Sequence, residues 1–353
     1  MDISVPSNTV PAHLLREQIR HIPAVVYVTI LVILLSTWHW KTTGHLSVST
    51  VATFLAFSSA ALIYGGVLIK LSPLPTEVAG ALTVQFLFGF LLFNTALFVL
   101  SLAFPWSVAN CFLTLVAVAV ATVFVRFKRL KIRTETTDCV PDLLCLLIGG
   151  IGAMLWCADA LSPIVVDGQN TVFKLWHDGF YHMRFIATFA QSHGLGTVSD
   201  IRMAGAPPYF YHYASYFTAA AFESLTGANA FEAFVGFQLP FGVLLTGFAA
   251  FALAASLWGS WPGLAASCAI ILLPDGYEQG FGNRYLSYDF VQQTNLAGLF
   301  GVSCAAASWI FILHGCKSGK YNSIIIGYAI ILLTGAYKSQ IFLPIRLEQV
   351  GLR

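Results

Sequence analysis

Charge is what this sequence has least of. Asp, Glu, Lys and Arg make up 10% of its 353 residues, against about 25% in an ordinary soluble domain. So few charges exclude a soluble globular enzyme, and they equally exclude a disordered chain. The net charge of +2 creates no bulk field that would draw nucleic acid, so no nucleic-acid partner is expected. Paired cysteines are missing too. The seven cysteines, Cys111, Cys139, Cys145, Cys157, Cys268, Cys304 and Cys316, are scattered through apolar runs without a CxxC pair. They read as small buried hydrophobes, which argues against a disulfide framework or a zinc site. No cleavable signal is evident. The first apolar run opens near Ile22 without a small-residue cleavage site, and is expected to be a retained helix.

What the sequence has is apolar length. Hydrophobic residues reach 57%, Phe alone supplies 29, and mean hydropathy is +0.76. The expected fold is all-α, a polytopic transmembrane helical bundle of roughly nine to eleven membrane helices with an external loop carrying interfacial helices. Spans are expected near Ile22–Trp38, Val48–Ile69, Val78–Ala103, Ser107–Val125, Leu143–Leu161, Pro208–Leu225, Phe231–Leu257, Gln293–Leu313 and Ser323–Tyr337. Leu264–Leu273 is too short to cross, and Ser260-Trp261-Pro262-Gly263 breaks the run before it. That pair reads as a broken or half-crossing helix.

Basic residues set the orientation. Arg126, Lys128, Arg129, Lys131 and Arg133 crowd one short loop, which is expected to be cytoplasmic. Counting back places Lys70 inside, Lys41 outside and the N-terminus, with Arg16 and Arg20, inside. The polar loop after Leu161 then faces outward. Lys317 and Lys320 suggest another inside loop, and the parity between Phe231 and Leu273 stays open. The chain divides into an N-terminal four-helix membrane region, 1–140, and a second module, 141–353, with an external loop at 162–207. An integral protein of a bacterial inner membrane fits the compactness and short loops.

Four of the nine histidines fall between Trp176 and Tyr213. The stretch from about Val172 to Gln191 reads as an interfacial helix with a rough apolar face of Phe173, Trp176, Phe180, Met183 and Phe189. Asp178 and His182 are spaced i,i+4 and share one face, with Lys174 one turn earlier. This stripe is either a general base or metal-ligand constellation, or the solvated polar face of an interfacial helix. Further on, Pro207-Pro208 and Tyr211-His212-Tyr213 start the next helix. His212 is either functional or a polar tip in an aromatic belt. Lys338 ends a very apolar run, where it either snorkels or meets an anionic group.

The order Trp176-His177-Asp178-Gly179-Phe180-Tyr181-His182, then Pro207-Pro208, then Tyr211-His212-Tyr213, then Leu225-Thr226-Gly227-Ala228-Asn229 resembles the GT-C superfamily of multispanning glycosyltransferases. That superfamily includes protein O-mannosyltransferases, oligosaccharyltransferase catalytic subunits and bacterial lipid-linked sugar transferases. The likeness covers roughly residues 141–340. It implies sugar transfer from a polyprenyl-phosphate donor to an acceptor on the external face. Asp178 matches the loop acid of that family and His182 a histidine one turn later, which makes these two the catalytic candidates. His177, Lys174, Tyr211, His212, Arg284 and Lys338 are the substrate-binding candidates, with Lys338 placed to meet a lipid-carrier phosphate. Asp159 and Asp167 are weaker candidates for the acid, and Asp275, Glu278 and Asp289 for a second external motif. A carboxylate with two histidines suits a divalent cation, Mg or Mn, although many family members need none, so metal use stays open.

Two departures from the family pattern stand out. Four spans precede the family-like loop, and the chain stops at Arg353, where members continue through further helices. A truncated product or one part of a split system with a partner subunit is therefore expected. The competing readings are a transporter or flippase, to which Gln238 with Pro240 and the Ser260–Gly263 break point, and a non-catalytic membrane subunit. Membrane lipids are partners in every reading.

Overall fold

The computed structural model describes residues 12–71, 74, 78, 81–126, 139–157, 164–166, 170–172, 177–194, 198, 212–272 and 296–338. Within them lie eleven helices: α1 (Ala12–Thr43), α2 (Val48–Leu71), α3 (Leu82–Ala103), α4 (Val108–Arg126), α5 (Val140–Trp156), α6 (His177–Gln191), α7 (Phe217–Thr226), α8 (Ala230–Trp258), α9 (Ser260–Leu272), α10 (Leu296–Ser318) and α11 (Tyr321–Tyr337). A small antiparallel pair, β1 (Ile164–Val166) and β2 (Asn170–Val172), with Ile164 opposite Val172, holds the strands found among the described residues. The all-α bundle expected from composition is what is observed.

Six helices are long and apolar enough to cross a membrane: Ala24–Thr43, Val48–Leu71, Leu82–Ala103, Val108–Val125, Ala230–Trp258 and Ala297–Ser318. Helices α5, α9 and α11 are apolar but shorter. The span expected near Pro208–Leu225 is different. Its described part is a 3-10 turn, Tyr213–Tyr216, followed by the ten-residue α7. Ten residues rise only about 15 Å, half of a hydrocarbon core. Gly227 ends α7 in the left-handed conformation at φ 74°, and Asn229 and Glu232 form a reciprocal capping box that starts α8. The motif read as a helix end thus does end a helix.

Packing relies on close backbone approach, as expected where lipid removes the hydrophobic drive between helices. Helices α2 and α3 cross through Ala61 and Gly65 on one side and Gln85 and Gly89 on the other. A Cβ on Gly89 would lie 1.6 Å from the Ala61 carbonyl oxygen, and one on Gly65 would lie 1.7 Å from that of Gln85. Around this crossing, Phe57 meets Phe86, Phe90, Phe93 and Phe241 edge to face, with centroids 5.5–6.2 Å apart. On α5, Gly149 accommodates Leu244, Gly150 accommodates Leu34 and Gly152 accommodates Ile271. The N-terminus of α3 has no side-chain cap of its own. Buried Asp142, in the first turn of α5, accepts the Thr83 N–H at 2.9 Å and supplies that cap from a neighbouring helix.

These contacts give the relative direction of the helices. Helix α9 folds back on α8 after Gly259, since Gly263 meets Phe251 and Ala255 while Ile271 reaches Gly247. Helix α10 runs parallel to α8, since both run against α3: Phe90 meets Phe241 and Phe300, while Phe86 meets Phe248 and Phe88 meets Phe311. Helix α11 returns antiparallel through the short Gly319-Lys320 turn. The return of α9 along α8 leaves α8 and α10 pointing the same way. Lys317 and Lys320 lie at one end of the α10–α11 hairpin, and Lys338 at the other.

Candidate functional site

Three segments far apart in sequence meet at the Lys338 end of the bundle. Helix α6 forms within the expected interfacial stretch but starts at His177, with Val172 in β2, and its buried face keeps the expected Met183 and Phe189 while exchanging Phe180 for His182. Phe180, expected on the apolar face, is 59% exposed, whereas His182, expected on the polar stripe, is 4% exposed. The buried face is His182, Met183, Phe185, Ile186, Phe189 and Ala190. The physical reason is that His182 finds partners inside. Its Nδ1 shares a 2.7 Å hydrogen bond with the Tyr216 hydroxyl, the direction depending on the tautomer. Its ring stacks on Tyr216 at 5.6 Å and lies 5.7 Å from Phe234. A buried imidazole with a hydrogen-bond partner and aromatic neighbours costs far less than a bare one. The far end of α6 is tied down by a backbone bridge from His193 to Ser107. Gly194, at φ 88°, approaches the Phe104 carbonyl so closely that a Cβ would sit 2.8 Å from it.

The second segment is the 3-10 turn. His212 precedes it and is 7% exposed. Tyr213 packs edge-on against Phe185 and Phe189, both at 5.3 Å. The third is the end of α11. Lys338, also 7% exposed, closes that helix with its N–H donating to the Thr334 carbonyl at 2.7 Å. His212 feels both other segments. Burial first, then the Lys338 ammonium and then His182 push its imidazole down to about 3. At neutral pH it is therefore an uncharged imidazole beside a buried ammonium.

Buried polar groups from two spanning helices frame the cluster. Asn94 on α3 donates through Nδ2 to the Ala214 carbonyl and to the Tyr337 hydroxyl, each at 2.8 Å. Its Oδ1 accepts the Thr218 hydroxyl, and Thr95 lies 3.2 Å from the Tyr337 oxygen. Gln238 sits in a π turn, Phe234–Gln238, near the start of α8, and its Nε2 donates to the Ser215 carbonyl. On α7, partial burial raises the Glu223 carboxyl to about 7, and its Oε2 has no hydrogen-bond partner.

Of the candidates read from sequence, His182, His212 and Lys338 are brought together. His177 and Asp178 are the first two residues of α6, which places the Asp178 backbone one turn before His182; their side chains lie outside the described residues. Lys174, Tyr211 and Arg284, like Asp159, Asp167, Asp275, Glu278 and Asp289, also lie outside them. Among the described residues no group of three or more His, Cys, Asp or Glu is placed to hold a metal ion. Sequence reasoning missed Tyr216 and Asn94. Tyr216 was hidden among belt aromatics, while Asn94 carried a legible signal, an amide in the middle of a Phe-rich span. Comparison with protein-family models, with curated proteins and with solved structures finds no match for the chain.

Proposed function

We propose that the chain is a membrane glycosyltransferase that moves a sugar from a polyprenyl-phosphate donor to an acceptor on the external face. The observation that carries this reading is the convergence of Lys338, His212 and His182 beside the helix that bears Asp178. A buried ammonium next to two imidazoles suits an anionic headgroup, because in a low-dielectric setting such a group gains more from charge pairing than it does in water. Lys338 meets the donor phosphate, and His212 and His182 hydrogen-bond the phosphate or sugar.

Transfer then needs one proton movement and one displacement. The acceptor hydroxyl gives its proton to the Asp178 carboxylate as its oxygen bonds the anomeric carbon. The bond from that carbon to the phosphate oxygen breaks, and the phosphate leaves with the electron pair, stabilised by Lys338. Lys174, His177, Tyr211 and Arg284 complete the substrate contacts in this reading, and Mg or Mn would assist the leaving phosphate if a cation is used. The positive-inside rule puts Lys70, Arg126, Lys317 and Lys320 in the cytoplasm, together with the N-terminus, and the site outside, as in a bacterial inner membrane.

The test is sugar release from a panel of polyprenyl-phosphate sugars by the protein in lipid. Turnover by the wild type that falls at least about a hundredfold in both Asp178→Asn and Lys338→Met supports the reading. Wild-type turnover in Asp178→Asn sinks it.

A further inference from the structure

Two buried amide side chains stand inside the spanning helices, Asn94 on α3 and Gln238 on α8. An amide is tolerated in such a span where its polar atoms are used. Asn94 links Ala214 O to the Tyr337 hydroxyl and takes the Thr218 hydroxyl on its carbonyl. Gln238 donates through Nε2 to Ser215 O, while its Oε1 is buried with no hydrogen-bond partner. Two consecutive carbonyls of one short turn are thus held by amides from two different helices. His212 lies two residues before the first, and Tyr216 directly follows the second. The Tyr337 hydroxyl belongs to the residue before Lys338. One side chain therefore joins the turn that carries His212 to the helix end that carries Lys338. The π turn adds a residue to the first part of α8, with Phe234 at its start against His182 and Gln238 at its end on the turn.

We infer that Asn94 and Gln238 are positioning residues of this site, clamping the 213–216 turn between α3, α8 and α11 so that His212 and Tyr216 stay in register with Lys338 and His182. The inference rests on the proposed function only in treating the cluster as a binding site. Both amides act through the turn.

The experiment uses the full chain in lipid nanodiscs. Asn94→Leu and Gln238→Met nearly conserve volume and remove the donors. The first readout is NMR titration of labelled histidines from pH 3 to 7, with His212→Gln assigning the signal. Loosening the turn separates His212 from Lys338 and admits water, so its midpoint rises from near 3 by about one pH unit or more in either variant. The second readout is binding of farnesyl phosphate, a short lipid phosphate, which weakens at least about tenfold. Phe88→Leu, a core truncation at the Phe88–Phe311 contact, is the control for general loosening and moves neither readout. Wild-type His212 titration in both variants overturns the inference. A shifted His212 with no farnesyl phosphate binding by any form leaves the clamp standing and removes the lipid-phosphate reading. Should Asn94→Leu not fold, Gln238→Met keeps the Asn94 links and carries the test alone.

Discussion

At the residue scale, two titratable groups, His212 and Glu223, make stability depend on pH in opposite directions. His212 titrates near 3 in the fold and near 6.5 when unfolded. Between those values the unfolded chain binds more protons, so its contribution to stability falls as pH drops through this window. Glu223 titrates near 7 in the fold against 4.5 as a free group. There the folded chain binds more protons, so its contribution falls as pH rises from 4.5 towards 7. Thermal unfolding between pH 4 and 7 separates them: His212→Gln should flatten the acid-side loss, and Glu223→Gln the loss on the neutral side. Tyr216→Phe should cost about 1–3 kcal/mol by leaving the buried His182 Nδ1 without its partner, checked by the same unfolding measurement. His182 shows how far a single residue can be read from sequence. Its i,i+4 relation to Asp178 was legible because helix periodicity is local. Its burial was not, because the partner that makes burial tolerable, Tyr216, is 34 positions away.

At the element scale, glycine and one carboxylate decide how helices meet. Gly89→Leu forces a side chain into the Ala61 carbonyl and should destabilise the α2–α3 pair by about 3 kcal/mol or more, seen as loss of folded protein on size exclusion in detergent. Asp142→Ala removes the borrowed cap of α3 and should cost about 1–3 kcal/mol, while Asp142→Asn, which keeps an acceptor oxygen towards the Thr83 N–H, recovers most of it. Both are read as shifts in the unfolding midpoint. The boundaries of α2, α3 and α4 follow closely from hydropathy, since a span must fill a fixed hydrocarbon thickness. The stretch around Pro208–Leu225 misled for the same reason. It is apolar enough to cross, yet the α-helix begins only at Phe217, after the 3-10 turn Tyr213–Tyr216, and its apolar side chains are buried against other helices.

At the scale of the whole molecule, the proposal demands a fixed sidedness. With native cysteines replaced, a cysteine at Ser318 should label from the cytoplasmic side and one at Ser192 from the external side. Labelling of both from one side contradicts the bundle, and exchange of the two sides contradicts the placement of the site. By itself the sequence determined that this is an all-α membrane protein, roughly where its spans lie and which end of each is basic. Those properties depend on composition, helix length and charge, all of which can be read within about twenty neighbouring residues. Only the tertiary structure decided that α9 turns back on α8, that His182 faces inward, and that His212 and Lys338 share a buried cluster framed by Asn94 and Gln238. Those outcomes depend on contacts between different elements, from Gly247 with Ile271 and His182 with Tyr216 to Asn94 with Ala214 and with Tyr337, and no local pattern encodes which distant polar group a buried amide will find.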